Sequence, residues 1–443
     1  MEVSVIVSGP AGQARERTLR SVAGQTLGGV TVVDDLSDAG PYVLLLEAGQ
    51  ELDRHACMTL LGAAERTGAD VVSGLLYRRS SLLESRPATS VDLPHRLLVS
   101  PAAPPDPAPD DDSRFRTAVY HRLLMRLPVR RGSVVFESGQ GAVYGGSPRA
   151  VYEQIRASGH PVRATWSYAT SPAGFPKDAT LVRRGSWGYY LALARAEYWV
   201  DDHGFPEELA KRLATTSIYT PPGTACDYVG FDAPETKLAT RAAKARLRRA
   251  VNRYDFLVAG SGHEAETLKA ALRARAEPLP VGNPRNDLLV SGEALDRVDR
   301  LAAHLGLAPG NTVVLCVGVP VPAPGPGFTV LDFDALAVHD VTSLLRLTDV
   351  LVTGVGPLLF DFLLLDRPVV LYTPVSRRIA YVDVLDDPPG PVVRDAESLA
   401  AAVRDARRTG DLYRPARRRL VEKYGEHERG SAAKEITERF FAP

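Results

Sequence analysis

Residues 345–365 read Leu-Arg-Leu-Thr-Asp-Val-Leu-Val-Thr-Gly-Val-Gly-Pro-Leu-Leu-Phe-Asp-Phe-Leu-Leu-Leu. The segment leaves an amphipathic helix, enters the apolar run Val350–Val352, turns at Gly354-Val-Gly-Pro357 and resumes as a helix over 358–365. A buried strand, a glycine turn and a helix in immediate succession build parallel α/β sheets, because a helix must cross back before the next parallel strand can pair. Such a turn can also cradle phosphate through free backbone N–H groups and the helix dipole, which makes Gly354 and Gly356 candidate phosphate-binding positions. Pro357 removes one of those N–H groups.

Apolar strand-like runs alternate with amphipathic helical runs over most of the 443 residues, which predicts the α/β class. The length leaves room for two to four domains, each with its own core. Lys+Arg 53 cancels Asp+Glu 53, so no global field draws the chain to nucleic acid. Cys57, Cys226 and Cys316 are too few and too scattered for a disulfide framework or a zinc site, which fits a reducing cytoplasm. The opening Met-Glu-Val-Ser-Val-Ile-Val lacks a basic flank, and no apolar run reaches the length of a membrane span. Any membrane contact is therefore expected to be peripheral, on the inner face of the cell membrane. Arg241–Arg253 is a basic helix with two readings. It presents arginines to an anionic polymer or lipid surface, or it packs Leu247 and Val251 inward beneath a solvated face.

Residues 85–113 carry seven prolines and then Asp110–Asp112, a composition that predicts an extended linker. It separates a short unit, residues 1–84, from a long one beginning at residue 114. A second Pro/Gly-rich patch, Gly318–Gly327, follows the strand Thr312–Val317 and reads as a loop. In the short unit Val3–Val7 is a strand, about 14–25 a helix, and Val30–Asp34 a strand ending in two carboxylates. The run through Asp34, Asp35, Ser37 and Asp38 resembles the start of family 2 glycosyltransferases, which implies a GT-A-like nucleotide-sugar fold. The next strand, Tyr42–Glu47, fits the one that bears that family's D-x-D-D, but the aspartate positions hold Glu47, Gly49 and Gln50. One glutamate is a poor remnant of a metal clamp for a diphosphate, so this unit reads as a truncated packing domain. His55 and Cys57 on the following helix read as packing or surface residues.

The long unit holds a more telling segment. Residues 218–232 read Ile-Tyr-Thr-Pro-Pro-Gly-Thr-Ala-Cys-Asp-Tyr-Val-Gly-Phe-Asp. This resembles the signature W-H-G-T-P-x-K-x-x-G-x-D of the CDP-glycerol glycerophosphotransferase family, the builders of teichoic acids. Gly223, Thr224, Gly230 and Asp232 keep the frame, whereas tryptophan is replaced by Pro221, the base histidine by Pro222 and lysine by Asp227. Further matches run in order: Ser133–Ser138, Ser147–Tyr152 with Ser147 as the expected N-cap, Arg184-Gly-Ser186, Ala194–Val200, Tyr254–Val258, Val281-Gly-Asn-Pro-Arg-Asn-Asp287, Asp349–Thr353, Phe360-Asp-Phe362, Arg367–Tyr372 and Pro389-Gly-Pro391. The resemblance implies a GT-B fold: two Rossmann-like domains, 114–285 and 286–443, across a cleft, the second holding the donor nucleotide.

Transfer of a polyol phosphate requires a base for the attacking hydroxyl and donors around the phosphoryl oxygens. Pro222 is no base, Asp227 would repel a diphosphate, the family's Asp-Tyr-Ser-Ser turn has become Gly354–Pro357, and a stretch bearing a His-Pro is missing beside His339. Cys226 has no neighbouring histidine to activate it and reads as a structural thiol. His203, His263 and Asp361 are the substitute candidates for catalysis, and Gly223, Thr224, Arg285, Gly354 and Gly356 the candidates for nucleotide or phosphate binding. No residue pattern demands a cofactor, and magnesium would enter only with a CDP-polyol donor. The resemblance implies CDP-glycerol or CDP-ribitol and a wall-polymer acceptor, or other wall-biosynthesis proteins, as partners. Three readings follow: a family member with lost or altered catalysis serving as pseudoenzyme or accessory subunit, an active transferase with another base, or a binding module for an anionic polymer or membrane.

Overall fold

The computed structural model describes residues 111–442 except 292–295, 337–339 and 375–379, together with five strands and isolated helical positions between residues 3 and 99. The chain divides into two compact units, Met1–Pro109 with Pro234–Ala243, and Asp110–Ala233 with Lys244–Pro443.

The first unit holds a parallel sheet of β1 (Val3–Ser8), β2 (Val30–Val32), β3 (Tyr42–Glu47), β4 (Val71–Ser73) and β5 (Arg96–Val99), in the order β2-β1-β3-β5-β4. The strand β5 falls inside the stretch expected to be linker. Its Arg-Leu-Leu-Val run, placed between Pro94 and Pro101, is apolar enough to pair on both sides, Leu97 with Val43 of β3 and with Val71 of β4. Asp34, Asp35, Ser37, Asp38, Gly49, Gln50, His55 and Cys57 lie outside the described residues, as does His339.

The second unit contains two parallel sheets. The first is assembled from β6 (Arg130–Glu137), β7 (Arg163–Tyr168), β8 (Thr180–Arg183), β9 (Ala196–Asp201), β10 (Thr216–Tyr219), β11 (Phe256–Val258) and β12 (Glu277–Leu279), ordered β12-β11-β10-β9-β6-β7-β8. The second uses β13 (Thr312–Val317), β14 (Phe328–Asp332), β15 (Val350–Thr353), β16 (Val369–Tyr372) and β17 (Val392–Val393), ordered β14-β13-β15-β16-β17. Val350–Thr353 and Val369–Tyr372 are buried throughout, as continuous apolar strands sandwiched by helices should be. Each sheet has its own core. Phe136 and Trp166 stack at 5.2 Å in the first, and Leu315, Leu351, Phe362 and Leu371 fill the second. This is the two-Rossmann architecture that the sequence led one to expect.

Two local readings change. Ser147 does not cap its helix, which spans Gly146–Ala157 with Gly145 at the N-cap. Gly146 takes φ +61, so the chain turns one residue earlier, and Ser147 Oγ lies inside the first turn accepting the Arg285 N–H at 3.4 Å. The second half also does not keep its last helix. Ala432–Phe440 returns to the first sheet, where Ile436 joins the core of Val134 and Val200 and Phe441 meets Tyr198 at 4.9 Å. Asp287 fixes that return by accepting the N–H groups of Ala432 and Ala433 at 2.9 and 2.8 Å.

The Pro389-Gly-Pro391 motif acquires a packing role. A Cβ at Gly390 would stand 1.8 Å from the Val369 carbonyl oxygen, a backbone atom of β16. Gly390→Ala should therefore destabilise the fold by about 1–3 kcal/mol through overpacking, read as a lower urea midpoint in chemical denaturation. An unchanged midpoint would mean that β16 yields freely there.

Candidate active site between the two halves

The carboxyl ends of β9 and β10 place two loops side by side, and Asp201 pairs with Tyr219 in register. The loop after β10 carries the Pro-Pro-Gly-Thr frame, and that after β9 carries Asp202 and His203. Ligands in open α/β sheets bind at this edge. The retained frame residues have structural reasons to persist. Gly223 has φ +143, and a Cβ there would lie 2.3 Å from Arg285 Nη2 and 2.9 Å from Pro357 Cβ. Gly230 has φ +58 and packs on the Ala271 carbonyl, where any Cβ would be 2.8 Å away. Asp232 accepts the Tyr381 hydroxyl at 3.1 Å. Thr224 is buried, and Cys226 is a buried thiol in the second core, bonded to the Thr224 carbonyl.

Arg285 is the meeting point. Its guanidinium pairs with both oxygens of Asp361, Nη2 lying 2.8 and 2.6 Å away, and its Nη1 donates to the carbonyl of Pro222. The base position of the family signature thus abuts an arginine held by a buried carboxylate from the other half. Asp361 also accepts Asn286 Nδ2 at 3.0 Å, and Asn286 reaches Glu428 at 3.2 Å. Glu428 receives the Asn283 N–H and Nδ2, and Glu264 receives the Gly260 N–H at 2.6 Å. Burial raises both acids, Glu428 to about 8. The Asn-Pro-Arg-Asn-Asp motif is therefore a polar hub that ties α-helical, cleft and C-terminal segments together.

Of the substitute candidates, Asp361 lines the cleft, and His203 lies near enough to Arg285 to feel its charge. His203 Nδ1 lies 2.7 Å from Asp202 Oδ1. Asp202 is buried and further held by Ser138 Oγ at 2.6 Å and the Gly139 N–H at 2.8 Å. The hydrogen bond to Asp202 raises the His203 pKa, partly against burial. Asp201, fully buried beside Glu137 and Asp202, is pushed up to about 8 mainly by desolvation. His263 is engaged elsewhere, with Nε2 on the Tyr381 carbonyl at 2.8 Å and its ring against Tyr424 at 5.0 Å. Gly354 and Gly356 form the turn before the short helix Pro357–Leu363, with Gly356 as N-cap and no side-chain cap bond.

A pocket of about 180 Å³ opens between the halves, lined by Gly145, Gly146, Arg149, Arg285, Asp340 and Asp361 among others. Four charges bridge its wall. Arg149 binds Glu153 at 2.7 Å and Asp340 at 3.2 Å, while Arg297 binds Glu153 at 2.9 Å and stands 3.6 Å from Asp340. The Arg149–Glu153 spacing was readable as a helical i,i+4 pair; its partners from the other half carried no sequence signal. The basic helix expected over Arg241–Arg253 ends at Val251, and Arg253 just beyond it is buried and donates to the carbonyls of Phe205, Pro206 and Leu209, while Leu247 and Val251 pack inward. Among the described residues no group of three or more His, Cys, Asp or Glu is placed to hold a metal ion, and none of their helices is long and apolar enough to cross a membrane.

The family described as CDP-Glycerol:Poly(glycerophosphate) glycerophosphotransferase matches residues 119–317 and 329–442. The chain is 26% identical over 350 residues to the teichoic acid poly(glycerol phosphate) polymerase of Bacillus subtilis (strain 168), covering 66% of this chain and 46% of the relative. It is 23% identical over 372 residues to the teichoic acid glycerol-phosphate transferase of Staphylococcus aureus (strain NCTC 8325 / PS 47), covering 72% and 95%. The chain spans about half the length of the first of these relatives. Among solved structures, the wall teichoic acid polymerase TagF aligns with a TM-score of 0.66 at 22% identity, over 74% of this chain and 93% of that one. The fold is GT-B, and the chain belongs to the CDP-glycerol:poly(glycerophosphate) glycerophosphotransferase family.

Two outcomes follow from the charges. Asp361→Ala leaves the Arg285 guanidinium buried without its carboxylate and should cost about 3–5 kcal/mol in chemical denaturation; a loss below 1 kcal/mol would place the arginine's counter-charge elsewhere. Because Asp201 titrates near 8 when folded and near the ordinary 3.8 when unfolded, the folded state holds the extra proton between those values. Stability conferred relative to an ionised group is then lost as pH rises from about 4 to 8. Asp201→Asn should show a melting temperature that gains on wild type across that window, and parallel curves would count against a neutral Asp201.

Proposed function

We propose that this family member serves teichoic-acid-type wall glycopolymer assembly with altered catalysis, the family base at position 222 being lost. One observation carries the reading: position 222 is a proline whose carbonyl is taken by Arg285. A general base supplies about 10²–10⁴-fold in rate, so its loss alone would move the protein far from a fully active transferase. The substrate class is a CDP-polyol, CDP-glycerol or CDP-ribitol, with a polyol-phosphate chain as acceptor. Arg285 lines the cleft, and Gly223, whose missing Cβ would meet its guanidinium, would let the loop approach a diphosphate, with Thr224, Gly354 and Gly356 as further candidate contacts. Magnesium would accompany the donor's diphosphate, and no step is assigned to it. A second reading, a wholly non-catalytic accessory role, rests on the neutralisation of Arg285 on Asp361, which leaves less positive charge for a phosphoryl group. Contact with the membrane, if made by Arg241–Val251, would rest on the exposed Arg248 and Arg249.

Calorimetric titration with CDP-glycerol, CDP-ribitol and CDP, with and without magnesium, checks the donor class. Binding of a CDP-polyol is expected, with transfer to a polyol-phosphate acceptor at least about 100-fold slower than that of the S. aureus relative assayed alongside. Transfer at a matching rate would overturn the altered-catalysis reading. Failure of a folded protein to bind any of the three would overturn the donor assignment.

A further inference from the structure

We propose that His203 is the general base of this protein, moved one strand over from the family's position, with Asp202 as its positioning residue. This rests on the CDP-polyol reading above. In the parallel pairing of β9 with β10, Asp201 stands opposite Tyr219, so the loops carrying His203 and Pro222 leave the same sheet edge on adjacent strands. Neighbouring strands lie about 4.8 Å apart, a displacement that a side chain of imidazole length can span. Thr220 closes the pair, its N–H and hydroxyl both donating to the Asp201 carbonyl at 2.8 and 3.0 Å.

The dyad is built as a catalytic base requires. The bond to Asp202 fixes the proton on His203 Nδ1 and leaves Nε2 as the acceptor, the orientation logic of an Asp–His pair. Asp202 is only 5% exposed and has both oxygens engaged, Oδ2 by Ser138 and Oδ1 by Gly139 and His203. His203 itself is 46% exposed, and no hydrogen bond to Nε2 is found among the described residues. The pair adjoins the cleft through Gly146. Asp202 Oδ2 packs beneath Gly146, where a Cβ would come within 2.8 Å, and Gly146 lines the pocket that holds Arg149 and Arg285. The charged groups acting on the imidazole are Asp202 on its own loop, Asp201 at the end of β9, and Arg285, which opposes its protonation. By contrast His263 has its Nε2 occupied, and Asp361 is paired with Arg285 and Asn286.

In the step itself, a hydroxyl of the acceptor attacks the phosphorus bearing the polyol. A new P–O bond forms, the bridging P–O bond to the cytidine monophosphate breaks, and that monophosphate leaves with the bonding pair. The hydroxyl proton passes to His203 Nε2, while Nδ1–H stays on Asp202.

The test is CMP release from CDP-glycerol by the whole chain with a glycerol-phosphate acceptor, alongside calorimetry of CDP-glycerol binding. His203→Gln should lower CMP release by about 100-fold or more while binding is retained. Asp202→Asn removes the partner that holds the imidazole pKa up, so the acidic limb of the rate profile should move to lower pH, a change that a merely structural role would not produce. Release by His203→Gln at the wild-type rate overturns the proposal, as does a wild type that binds CDP-glycerol and releases no CMP. A folded wild type that binds no CDP-glycerol overturns the donor reading, and the proposal with it.

Discussion

The ion pair between Arg285 and Asp361 is the constraint around which the second unit is arranged. It joins the segment that links the two Rossmann-like halves to the helix following the glycine turn of β15, and it is nearly dry, with the two side chains 15% and 5% exposed. Such a pair is weak as a source of net stability but strict in geometry, since either partner left alone would be a buried charge. Its strictness propagates. Gly223 must be glycine because the guanidinium passes where a Cβ would sit, and Pro357 closes against the same loop. Asn286, Asn283, Glu428 and Glu264 extend the hub toward the C-terminal crossover.

That hub explains a sequence that keeps the outline of a reactive motif without its reactive groups. Gly223, Gly230 and Asp232 are held by backbone conformation, close packing and a hydroxyl bond, none of which depends on histidine or lysine in the same segment. Catalytic side chains can therefore be exchanged while the frame persists. The carbonyl of Pro222 serves Arg285, and His203, the proposed proton acceptor, belongs to the loop on the adjacent strand.

The fold was legible because its signals are local. Buried strands such as Val350–Thr353 and Val369–Tyr372 announce themselves by continuous apolar runs. Ser147 was misread because a glycine at φ +61 takes over the turn that a cap would otherwise make. The strand Arg96–Val99 was hidden by its prolines, which mark the edges of the run rather than its interior. The site was only half legible. Arg285, Asp361 and His203 could be named from motifs, but the choice among them needed partners distant in sequence. His263 is spent on a carbonyl, Asp361 on an arginine, and the Asp202 that orients His203 is fixed by Ser138, 64 positions earlier. No periodicity encodes such long-range pairings.

A crystal structure of the protein with CDP-glycerol bound is the most direct measurement. The account predicts Arg285 still seated on Asp361 and the Pro222 carbonyl, with His203 Nε2 facing the phosphorus that bears the glycerol. A donor seated against position 222 with Arg285 released onto its diphosphate, and His203 turned away, would contradict it.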